Sequence, residues 1–85
     1  MEFENYIRPM LDLTLNKDRP VEQTNVLLEI ISHLAIDDYL APEIIHNNGI
    51  DTLLLHLREQ GNLEGQRMAA KGLLNLGAKS RKFFV

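Results

Sequence analysis

Glu22, Asn25, Glu29 and His33 stand three or four residues apart, so a helix over this stretch lines two carboxylates, an amide and an imidazole along one face. Glu64, Arg67, Lys71 and Asn75 repeat that spacing with bases replacing acids. Stacked side by side, the two sets would form a ladder of polar side chains along one wall. Catalysis is poorly served. His33, His46 and His56 are at least ten residues apart with no Cys near any of them, whereas zinc ligands cluster at close spacing. Ser32 cannot work with His33, because adjacent helical residues point about 100° apart. Gly61 and Gly65 lack the Gly-Lys-Ser/Thr that completes a phosphate loop. These residues point to a non-enzymatic chain without cofactor or metal.

The elements that must position these side chains follow from apolar spacing and its interruptions. Tyr6 to Leu15 carries Ile7, Met10, Leu11 and Leu13 at helical intervals, with Pro9 placed in the opening turn. Asn16 to Arg19 is a polar break, and Pro20 suits the first position of a helix over 20–36, where a missing N–H has no partner to lose. Asp37 and Asp38 can cap a short helix over 39–46, with Pro42 early in it. Asn47, Asn48 and Gly49 interrupt the chain, and Gly49 is expected to take the left-handed conformation. Helices over 50–60 and 63–78 follow, separated by Gly61 and Asn62. No stretch alternates with a period of two over a strand length, so the fold class is all-α.

The segment 22–36 recurs as 64–78 after a shift of 42 residues, matching Leu34 to Leu76, Ile31 to Leu73, and Leu27 and Leu28 to Ala69 and Ala70. Periods of about 40 to 47 residues containing helices are typical of stacked helical repeats. The order short helix, Asn48-Gly49-Ile50, a Leu-rich helix (LLLHLR), a turn at Gly61-Asn62, and a long helix ending Leu73-Leu74-Asn75-Leu76 resembles an armadillo repeat. The resemblance implies a right-handed α-solenoid of about two repeats in one domain over 1–85: a partial repeat over 6–36, a complete one over 37–78, and the start of a further first helix over 79–85. It also implies that the third-helix face is a concave groove in which Asn75 holds the backbone of an extended peptide. His33 stands where the earlier repeat would carry its asparagine. Glu29 and Lys71 stand where the nuclear-import adaptors of the family carry tryptophan, and this chain has none. The groove is therefore expected to be mixed in charge, acidic at Glu22 and Glu29 and basic at Arg67 and Lys71. The plainer alternative pairs Glu29 with Lys71 across neighbouring helices, an exposed contact worth about 0–1 kcal/mol.

Charge is distributed unevenly under the net −3: residues 1–65 hold all twelve acids and four bases, and residues 66–85 hold five bases and no acid. Nucleic-acid binding through the basic end is disfavoured by the acidic body and the scarcity of aromatics among the bases. Lys79, Arg81 and Lys82 are read instead as complementing a helix end near Ala78. No apolar run approaches the roughly 20 residues of a bilayer span, and Glu2 and Glu4 stand where a signal peptide carries positive charge. These features point to an intracellular chain of cytoplasm or nucleus, with a protein partner and no membrane. Solenoid repeats bury their apolar faces only against neighbours, so two repeats are expected to be a fragment of a longer array or to self-associate. Phe83, Phe84 and Val85 are the candidates for that second contact.

Overall fold

A computed structural model describes the backbone of residues 4–84 and the side chains of residues 5–79. The described residues form five helices: α1 (Glu4–Thr14), α2 (Val21–Leu34), α3 (Leu40–His46), α4 (Gly49–Arg58) and α5 (Leu63–Phe84). No strand occurs among the described residues. The all-α reading holds.

Local chemistry sets each boundary. Pro9 lies in the middle of α1 rather than in its first turn, because the helix starts two residues earlier than the apolar spacing indicates. Pro20 is the cap of α2, one position before the helix, and its carbonyl accepts from the N–H groups of Gln23 (3.0 Å) and Thr24 (3.3 Å). Before α3, Asp37 Oδ1 accepts from the backbone of Tyr39 (2.7 Å) and Leu40 (3.1 Å), the local capping role expected of it. At the α3–α4 corner the left-handed residue is Asn48, with φ of 64°, and not Gly49. Gly49 is needed there for space: a Cβ at this position would lie 2.5 Å from the Ile44 carbonyl oxygen. Asn tolerates the left-handed region, which frees the glycine for the close approach. Gly61, at φ of 91°, turns the chain from α4 into α5. The expected break at Ala78 is absent. With no proline to stop it, and Gly77 taken up within the helix, α5 runs on to Phe84.

Ile7 and Leu11 of α1, Leu28, Ile31 and Ala35 at and beyond α2, Ala41 and Ile44 of α3, Leu53 of α4, and Ala69 and Leu76 of α5 form one core. Helix α2 packs on α1 and α5, α4 packs on α5, and α3 touches α1, α4 and α5. Helices α2 and α5 run parallel. Asn25 meets Asn62 and Gly65 at one end, Ser32 meets Gly72 and Asn75 further along, and Asp38 meets Lys79 at the other end.

Candidate functional site

The parallel pairing of α2 and α5 brings the two polar stripes of the sequence side by side. Glu22, Glu29, His33, Glu64, Arg67 and Lys71 are all exposed, while Asn25 and Asn75 are half-buried between the helices. Helical spacing explains the split. On α2, the buried residues Thr24, Leu28, Ile31 and Ser32 mark the inward side, and Asn25 and Ser32 lie on the edge facing α5. The charged residues lie beyond that edge, over the open face.

Both amides are engaged within the protein. Asn25 and Asn62 exchange hydrogen bonds, Asn25 Nδ2 donating at 3.1 Å and Asn62 Nδ2 donating back at 2.9 Å. Asn62 Oδ1 also accepts from the Gly65 N–H at 3.1 Å, so it caps α5 while holding α2. A Cβ at Gly65 would sit 2.9 Å from Asn25 Oδ1, so a larger residue there would have to displace this pair of amides. At the far end Asn75 Nδ2 donates to the Ser32 carbonyl at 3.0 Å. That carbonyl is left over because α2 tightens as it ends, and the Ile36 N–H turns to His33 O instead. Asn75 therefore has the partner that a half-buried amide requires.

The charges behave differently. Among the described residues, none of Glu22, Glu29, Glu64, Arg67 and Lys71 forms an ion pair, and the Glu29–Lys71 contact is not made. Lys79 does not complement a helix end near Ala78, because α5 continues past it; its Nζ lies 2.6 Å from Asp38 Oδ1, with its side chain mostly covered. The self-association candidates Phe83, Phe84 and Val85 lie outside the described side chains.

A second polar cluster escapes the sequence reading. The α1–α2 connection and the α4–α5 turn enclose a cleft of about 370 Å³ lined by Thr14, Lys17, Arg19, Thr24, His56 and Glu59 among others. His56 is 8 % exposed, and its Nε2 has no hydrogen-bond partner among the described residues; the same is true of Arg19 Nε. Burial pushes the His56 imidazole below its ordinary value of 6.5, a shift that nearby Lys17 reinforces and Glu59 opposes. A signal for this site was present. His56 matches Leu13 in the repeat alignment at a shift of 43, a titratable side chain at an apolar position.

His33, His46 and His56 fall on α2, α3 and α4, and among the described residues no three His, Cys, Asp or Glu side chains are grouped to hold a metal. Nor is any helix among them long and apolar enough to cross a membrane. Comparison of the chain with protein-family models, with curated proteins and with solved structures finds no match.

Proposed function

We propose that this chain is an armadillo-type segment of about two repeats acting as a non-enzymatic protein-interaction module, with an extended segment of an intracellular partner lying across α2 and α5. The observation that carries this reading is the parallel pair of helices whose like-placed charges stand exposed and without ion-pair partners. Charges left in that state are available to a ligand. The bound segment would place basic residues over Glu22 and Glu29 and acidic residues over Arg67 and Lys71. Charge, more than an amide clamp, selects the ligand, because Asn25 and Asn75 are occupied in joining the helices. The test is a titration of labelled peptides with a basic half joined to an acidic half. The Arg67→Glu, Lys71→Glu double variant should bind at least tenfold more weakly with its helical circular dichroism intact. Equal affinity of the two proteins refutes the groove.

Self-association is the second reading, favoured by apolar residues on opposite outer flanks: Val26 (54 % exposed) and Ile30 (41 %) on α2, Leu63 (63 %) and Leu74 (74 %) on α5. The α5 flank of one copy against the α2 flank of the next would continue the stack head to tail. Sedimentation that stays monomeric up to millimolar concentration removes it.

A further inference from the structure

The cleft at the α1–α2 connection carries the clearest unmet chemical demand among the described residues. At the α2–α5 seam the amides of Asn25, Asn62 and Asn75 are all bonded. In the cleft two buried nitrogens are not. Arg19 Nε bears a hydrogen at every accessible pH and can only donate. His56 is more than nine-tenths buried, and its neutral ring can place its proton on Nε2. With the His56 proton on Nε2, the two nitrogens are donors without acceptors, and with the Lys17 ammonium on the same wall they suit an oxygen-rich anion. Leu15, Val21 and Leu55 supply apolar wall to the same cleft, so the anion should carry a hydrocarbon body. Glu59 sets a limit on charge: with one carboxylate facing two cations the lining is singly positive, suited to a monoanion and not to phosphate dianion.

We propose that this cleft binds a small aliphatic carboxylate, its oxygens accepting from Arg19 Nε and His56 Nε2 and its alkyl chain lying on Leu15, Val21 and Leu55. The volume of about 370 Å³ is at the lower end of small-molecule sites. Free fatty or branched-chain acids and the C-terminal residue of a peptide share this chemistry, and the probes distinguish them.

The experiment is an amide- and imidazole-detected NMR titration of the intact chain with hexanoate, hexanamide, inorganic phosphate and a peptide ending in leucine, each with and without a C-terminal amide where applicable. Hexanoate or the free-acid peptide should shift resonances of residues 15–24 and 55–62 and should bind at least tenfold more tightly than its amide. Whichever binds more tightly names the source. Arg19→Gln should weaken that binding at least tenfold, and Lys17→Met, at an exposed position where folding is not at risk, about threefold. Equal affinity for carboxylate and amide overturns the proposal, as does phosphate matching hexanoate. Absence of any shift in these two segments, with the nitrogens simply hydrated, overturns it also.

Discussion

Helices α2 and α5 are equivalents by sequence, yet they bury different sides. Aligned at a shift of 42, Ser32 corresponds to Leu74, but Ser32 is fully buried and Leu74 is 74 % exposed; Ile30 is 41 % exposed where its equivalent Gly72 is buried. The buried positions Thr24, Leu28, Ile31 and Ala35 match Gly65, Ala69, Gly72 and Leu76 at a shift of 41. One residue is about 100° of helix rotation. Each helix has turned its covered stripe toward the other, because each has the other as its long parallel neighbour on one flank only. A repeat in sequence thus repeats shape, whereas environment depends on what lies alongside.

This comparison breaks most readily by exchanging the residues of the equivalent pair. Ser32→Leu forces a large side chain onto Gly72, whose built Cβ would already lie 3.7 Å from Ser32 Cα, and should cost about 3 kcal/mol. Leu74→Ser at the equivalent exposed position should change stability by less than about 0.5 kcal/mol. Urea denaturation of both variants reads the difference, and similar losses in both would show that the burial asymmetry is wrong. A smaller effect is expected from Asn75→Ala, which leaves the Ser32 carbonyl without its amide and should cost about 1–2 kcal/mol.

The smallest effect sharpens the contrast between seam and cleft. Since the folded-state value of His56 lies below its ordinary 6.5, the unfolded chain takes up a proton first on acidification. Stability associated with the neutral ring is complete above about pH 6.5 and declines as pH falls below it. His56→Gln should remove that portion of the decline in melting temperature between pH 7 and 5. An unchanged profile in the variant would assign the pH dependence elsewhere.

Much of this arrangement was legible in the residues. All five helices follow from apolar spacing and polar breaks, because the segments are short, strongly periodic and punctuated by Pro, Gly and Asn. The adjacency of the two polar stripes follows from the 42-residue repeat. The roles of Asn25 and Asn75 were less accessible. Their helical spacing places them on the stripe with the charges, but whether an amide faces solvent or a neighbour depends on rotation within the stack, which one-dimensional periodicity does not fix. The capping of α5 by an Asn62 that also grips α2 is a contact over 37 residues and leaves no local pattern. The His56 cleft was missed for a related reason. Its lining comes from two segments far apart in the chain, each part helix and part connection, and only the mismatch of His56 with an apolar position hinted at it. Asn48 in place of Gly49 as the left-handed residue reflects a competition within one turn, decided by the Ile44 carbonyl.

The central claim is that α2 and α5 lie parallel and in register. Because the chain has no native Cys, a single nitroxide can be attached at Glu22→Cys or at His33→Cys and the broadening of α5 amides followed by NMR. The label at position 22 should attenuate residues 62–66 most and 76–79 least, and the label at position 33 should reverse that order. A gradient of opposite sense, or no attenuation along α5 from either label, would contradict the account.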